Sequence, residues 1–256
     1  PFLLYIDKEW VHDHLSEIFN EKDTKHFDYR FEAALSRYYL PSPDLFAFFK
    51  SSNLFSKALD YLKQQSGALD TIMVYALLEW RFWNGDPEKD SLIAAIFEKK
   101  NDEQIKRLID ISFQQNLDTP RAIYLWKRLL PIFESTNELK DSYSILISLF
   151  ELINSIDIEV FSLTSNVIDK MLTGSRDSYT LLRHLYKIAD TNIELSGKLV
   201  LKVYDKGLVG STYESELTDL VTKLYKVGQK DLADNICISV GETGSLFLKG
   251  IYNKHN

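Results

Sequence analysis

His12 and His14 flank Asp13, but two positions apart on a helix they point in different directions, so joint metal ligation would need irregular backbone. They read as solvated histidines, and no His-Glu-x-x-His pair exists to build a zinc site. Cys237 is the single cysteine, which excludes an internal disulfide and a multi-thiolate metal site. Ile236, Ile238 and Val240 surround it, the setting of a buried, inert thiol. No Gly-x-Ser-x-Gly elbow occurs. The glycine patches at Gly207–Gly210 and Gly241–Gly244 lack the spacing and the preceding strand of a phosphate loop. Carboxylates are scattered at helical spacing opposite lysines, as on a solvated face. The expectation is therefore no catalytic residue, no metal, no cofactor and no small-molecule substrate: a chain that binds rather than turns over.

Three groups could bind. Trp80, Phe82 and Trp83 lie close together, and Tyr75, Ala76, Trp80 and Trp83 fall near one helical face. They form either a core-facing aromatic layer or a partner-binding hot spot, the role exposed tryptophan commonly plays. Leu45-Phe46-Ala47-Phe48-Phe49 is apolar all round and should be buried, in the array or in a partner. Two lysine rows complete the set. Lys198, Lys202 and Lys206 are spaced by four, and Lys223, Lys226 and Lys230 by three and four, so each row is expected to share a face. Stacked, they would form a basic strip for RNA phosphates, or a solvated face, since Asp205, Glu216 and Asp219 are interspersed.

The elements that must position these residues are helices. Among 256 residues, hydrophobic residues make up 45% and charged ones 26%, enough apolar content for a core. Ten Gly and six Pro are too few for the many tight turns of an all-β fold. Breaks recur at Leu40–Ser42, Gly67, Asn84–Pro87, Asn101, Asn116–Pro120, Asn137, Gly174, Gly207–Ser211, Gly228 and Gly241, and apolar spacings of three and four fill the intervals. Asp86 before Pro87 and Asp118 before Thr119–Pro120 read as N-caps. Thr191 with Glu194 and Ser211 with Glu214 have capping-box spacing, and Gly207 and Gly228 read as helix stops. About eleven or twelve helices result, joined by short connections that force antiparallel neighbours. With no long polar linker, residues 1–256 read as one domain: 1–40 an irregular helical start, 140–240 the clearest repeats, and a weak seam at Leu40–Ser42.

Tyr143, Tyr179 and Tyr213 open three similar segments and are 36 and 34 residues apart. Ala58, Ala122 and Ala233 mark a second recurring element, where a small residue suits a close helix crossing. A period near 35 residues is the sign of helix–turn–helix solenoids, in which stacked hairpins complete one another's core. The stretch Leu220-Val-Thr-Lys-Leu-Tyr-Lys-Val-Gly-Gln-Lys-Asp-Leu-Ala233 resembles the pentatricopeptide pattern, and Val203-Tyr-Asp-Lys-Gly207 is similar to that family's repeat ending. More broadly the chain resembles tetratricopeptide and pentatricopeptide arrays. The segment Gly207–Leu220 runs about two residues long for the family. The Pro-Asp after the repeat-ending Gly is absent, and so is the tetratricopeptide Trp, Leu-Gly and Tyr pattern. The expected fold is all-α, an α-solenoid of antiparallel hairpins.

Two functions follow as expectations. The first is a non-enzymatic scaffold binding other proteins of a multi-subunit complex. The chain resembles helical segments of nuclear-pore or vesicle-coat subunits, and a start without Met fits a fragment or a processed terminus. The second is what the pentatricopeptide resemblance implies: RNA binding in organellar RNA maturation or translation, with base-reading positions near Thr180 and Asp219. A net charge of −7 argues against a chain-wide nucleic-acid or anionic-membrane surface. No apolar run reaches the length of a membrane span, and Asp7, Lys8 and Glu9 interrupt any signal-like opening. An intracellular, reducing compartment is expected, with cytoplasm, nucleus and organelle left open.

Overall fold

The computed structural model describes residues 7–19, 24–35, 43–62, 67–83, 85–89, 91–99, 101–135, 142–171, 177–208 and 213–256. Helix is the only regular structure among them. The contacts divide the chain into two compact units, Pro1–Gln115 and Asn116–Asn256. The boundary falls in the Asn116–Pro120 break, at an Asn116 of positive φ. The proline-flanked seam at Leu40–Ser42 lies outside the described residues.

The first unit holds α1 (Lys8–Asp13), α2 (Leu15–Ile18), α3 (Thr24–Ala34), α4 (Pro43–Ser51), α5 (Leu54–Tyr61), α6 (Gly67–Phe82), α7 (Leu92–Lys99) and α8 (Asp102–Gln114). Its long element is α6, whose residues Ile72, Met73, Tyr75, Ala76 and Leu77 are buried. Around it pack α3, α5, α7 and α8. The all-apolar run of α4 behaves as its pattern requires on one side: Leu45, Phe46 and Phe49 are buried, while Ala47 faces out. The cap expected at Asp86 belongs instead to a turn. Its carboxylate accepts from Glu88 N at 2.9 Å, and the helix begins only at Leu92, with Ser91 Oγ accepting from Ala94 N at 3.2 Å. Pro87 restrains a local turn and starts no helix.

The second unit holds α9 (Thr119–Ser135), α10 (Ser142–Phe150), α11 (Ile158–Lys170), α12 (Asp177–Ile188), a 3-10 turn (Ala189–Thr191), α13 (Ile193–Asp205), α14 (Glu214–Lys226), α15 (Lys230–Glu242) and α16 (Lys249–His255). Each helix from α9 to α13 packs on the helix after next: α9 on α11, α10 on α12, α11 on α13, α12 on α14 and α13 on α15. Side-chain bonds follow the same step. Asn154 N donates to Thr119 Oγ1 and Ile156 N to Thr191 Oγ1, each 35 residues apart. Gln229 Nε2 donates to Glu194 Oε2 across 35 residues, and Ser239 Oγ to Asp205 Oδ1 across 34. Tyr179 and Tyr213, 34 residues apart in sequence, meet with ring centroids 6.2 Å apart; the side chain of Tyr143 lies outside the described residues. Ala58, Ala122 and Ala233 are fully buried, as close crossings demand.

Local chemistry sets the helix ends. Asp118 Oδ1 accepts from Arg121 N at 3.0 Å, the expected N-cap of α9. Gly207 and Gly228, at φ of 63° and 80°, stop α13 and α14 in the left-handed conformation. At the start of α13 the cap is Asn192, whose Oδ1 accepts from Leu195 N, and not the expected Thr191. Thr191 donates to Ile188 O at 2.7 Å and accepts from Ile156 N, so its hydroxyl ties neighbouring layers together. Ser211 lies outside the described residues.

Candidate functional site

The aromatic trio divides. Trp83, just past the end of α6, lies against Phe46 of α4 (centroids 5.1 Å apart) and Tyr75 of α6 (6.2 Å). Phe55 of α5 joins the same layer, 5.5 Å from Phe46 and 5.6 Å from Tyr75. Trp83 thus closes an internal aromatic layer, and Trp80 is half-buried. Phe82 points the other way and is 63% exposed. Arg81 lies beneath it, guanidinium 5.2 Å from the ring centroid, and donates to the Gln115 carbonyl at 3.0 Å. A C-terminal helix carbonyl is a favoured partner for a cation, so this bond joins the ends of α6 and α8 and holds Phe82 outward on a braced base.

Glu79 is the residue sequence reading passed over. It is 2% exposed, on the same side of α6 as Tyr75, Ala76 and Trp83. Its Oε1 accepts from Lys50 Nζ of α4 at 2.9 Å, and its Oε2 from Leu92 N at the start of α7 at 2.8 Å. A carboxylate at a helix N-terminus is stabilised by the unpaired amides and the helix dipole. The chain also folds back tightly there: Gly85 N donates to Glu79 O at 2.9 Å, and a Cβ at residue 85 would fall 2.4 Å from Glu79 Cγ. A lone acid on an otherwise apolar stripe was the available signal. The network joins three helices beneath the aromatic layer.

The lysine rows have specific partners. Lys198 pairs with Glu194 one turn back at 2.5 Å. Lys202 reaches from α13 to Asp169 and Ser165 of α11, at 2.5 and 2.6 Å. Lys206 donates to the carbonyls of Ile168 and Asp169 at the end of α11. Asp169 is held below the usual carboxylate range, chiefly by the bond from Lys202. Lys223 bridges Asp190 and Asp219, at 2.7 Å each, and its ammonium pKa is raised by those bonds. The second row does not share one helix. Lys226 ends α14 and Lys230 begins α15, with the positive-φ Gly228 between them. Three of the six lysines fasten elements to one another: Lys202 and Lys206 tie α13 to α11, and Lys223 ties α14 to the 3-10 turn.

Between α12 and α14 runs a groove of about 270 Å³. Arg183, Tyr186 and Lys187 form one wall, and Glu216, Asp219 and Lys223 the other. Both charge signs are present, and Arg183 is paired with Glu151 at 2.6 Å. Burial, and then neighbouring Tyr204, pushes the Tyr186 phenol far above its ordinary value. Beneath, His184 is 3% exposed, bonded through Nε2 to the Ile153 carbonyl at 2.7 Å and set edge-on to Phe150. Burial lowers its pKa, so the ring is neutral and Nε2 carries the donated hydrogen.

His14 stacks on Trp10 at 4.2 Å, while the side chain of His12 lies outside the described residues. Among the described residues, no group of three His, Cys, Asp or Glu is placed to hold a metal ion, and no helix is long and apolar enough to cross a membrane. Cys237 is buried, and burial raises its thiol pKa, as its apolar neighbours implied. No family model, no curated protein and no solved structure matches the chain.

Proposed function

We propose that the chain is a non-enzymatic helical-repeat scaffold that holds other proteins within a larger assembly. The observation that carries this reading is the step of about 35 residues at which helices of the second unit pack and bond to one another. A hairpin that completes its core only against the next hairpin builds an extended surface, and extended surfaces hold partners. The α9–α15 stack is accordingly read as a solenoid of antiparallel hairpins. Phe82 supplies an anchor in the first unit: an exposed aromatic ring on a braced arginine suits a protein interface, where Phe and Arg are enriched.

RNA binding of the pentatricopeptide type is the weaker reading. Phosphate contact needs cations that can release counterions, whereas Lys202, Lys206 and Lys223 are bonded to Asp169, Asp190 and Asp219 or to helix-end carbonyls. A salt titration of binding to unstructured RNA, run beside size fractionation of a native extract, separates the two. The scaffold predicts co-fractionation with protein at high mass and no salt-sensitive RNA affinity. Salt-sensitive RNA binding without a stable protein partner overturns it.

A further inference from the structure

Helix α16 is held differently from the helices before it. Each of α11 to α15 buries at least four residues, whereas α16 buries none. Its far end is fastened by polar and ring contacts. The His255 imidazole lies face to face on the Tyr225 ring of α14, centroids 4.0 Å and planes 7° apart. Asn256 Nδ2 donates to Asp234 Oδ1 of α15 at 2.9 Å, the oxygen that also accepts from Tyr225 OH at 2.5 Å. At the near end Gly244 turns the chain with φ of 89°, and Leu248, 2% exposed, is the buried anchor. Between these ends lies a groove of about 210 Å³, walled by Cys237, Ile238 and Gly241 of α15 and by Leu246, Leu248 and Tyr252 of the crossing segment. Ile238 and Leu246 stay 48% and 69% exposed.

We infer that α16 is a latch: it docks reversibly through Tyr225–His255 and Asp234–Asn256, and its release opens the apolar face of α15 and uncovers the thiol of Cys237. A segment that buries little apolar surface opens at a free energy well below that of global unfolding. Cys237, 8% exposed and sharing the groove with Leu248 and Tyr252, reports that opening directly.

The test is native-state alkylation of Cys237 with iodoacetamide at fixed pH, alongside amide exchange of peptides covering 230–242 and 249–255. The latch predicts that 249–255 exchanges ahead of 230–242, and that alkylation is insensitive to low denaturant. His255→Ala combined with Asn256→Ala, both at exposed positions, should speed alkylation roughly tenfold, the sum of one ring stack and one exposed hydrogen bond. The melting temperature should fall by only a few degrees, since the same contacts are also lost on global unfolding. Equal alkylation rates in the two proteins, alkylation that follows global unfolding, or exchange of 249–255 no faster than 230–242 overturns the inference.

Discussion

Removing the lysine that faces Glu79 isolates the energetics of the first unit. In Lys50→Met the Glu79 carboxylate, whose side chain is 3% exposed, keeps the Leu92 amide but loses its counter-charge. Breaking a buried pair this way costs about 3–5 kcal/mol. The Lys50 side chain is 34% exposed, so water reaches that end, and the lower bound of about 3 kcal/mol applies. Glu79→Gln removes the charge but keeps an acceptor for Leu92 N, and Lys50 can turn to solvent, so it should cost about 1–3 kcal/mol. In the double variant no buried charge remains. Its cost should fall short of the sum of the singles by at least about 1 kcal/mol. The assay is urea unfolding followed by the fluorescence of the nearby Trp80 and Trp83, with m-values compared to confirm that each variant unfolds from the same compact state. A Lys50→Met cost below about 0.5 kcal/mol at unchanged m, or strict additivity, would refute the reasoning and make this an ordinary solvated ion pair.

Other outcomes follow from single contacts. Gly197→Ala places a Cβ 3.0 Å from both Leu224 Cδ1 and Leu232 Cδ2. Crowding of about 1–3 kcal/mol exceeds the gain of about 1 kcal/mol in helix propensity, so the melting temperature should fall; a rise would show that α13, α14 and α15 can separate cheaply. Thr191→Val strips the acceptor from Ile156 N and should cost about 1–2 kcal/mol in urea unfolding, against little change if the layers are held by apolar contact alone. For His184 the sign is set by burial. Its folded pKa lies below the unfolded value near 6.5, so the unfolded chain binds a proton the native state refuses, and stability is lost as pH falls below about 6.5. Melting curves at pH 7.5 and 5.5 should show a smaller acid loss in His184→Gln than in the parent; equal losses would mean the native imidazole takes up the proton.

The helical character was legible because apolar spacing and break residues act within a single helix. Gly207, Gly228 and Asp118 do what their types suggest, and so do the small residues Ala58, Ala122 and Ala233. The Tyr179–Tyr213 contact shows that a sequence interval near 35 can be a spatial neighbour relation. What stayed hidden depends on partners from other helices. Lys202 and Lys223 looked like a basic strip because Asp169 and Asp190 lie 33 residues away in sequence, beyond any single-helix pattern. Asp86 and Thr191 carry capping chemistry, but side-chain oxygens serve turns and neighbouring layers as readily as helix starts. Tryptophan identity drew attention to Trp83, whereas the exposed ring is its neighbour Phe82, whose direction depends on where α6 ends.

The scaffold claim meets its most direct test in quantitative affinity purification of the chain and its Phe82→Ala variant from the same native extract, matched for melting temperature. The account predicts a stoichiometric protein partner retained by the parent and reduced at least about tenfold by the variant, as an anchor worth more than about 1.4 kcal/mol requires. It is contradicted if neither chain retains a protein at stoichiometry and RNA elutes with both in a salt-dependent manner.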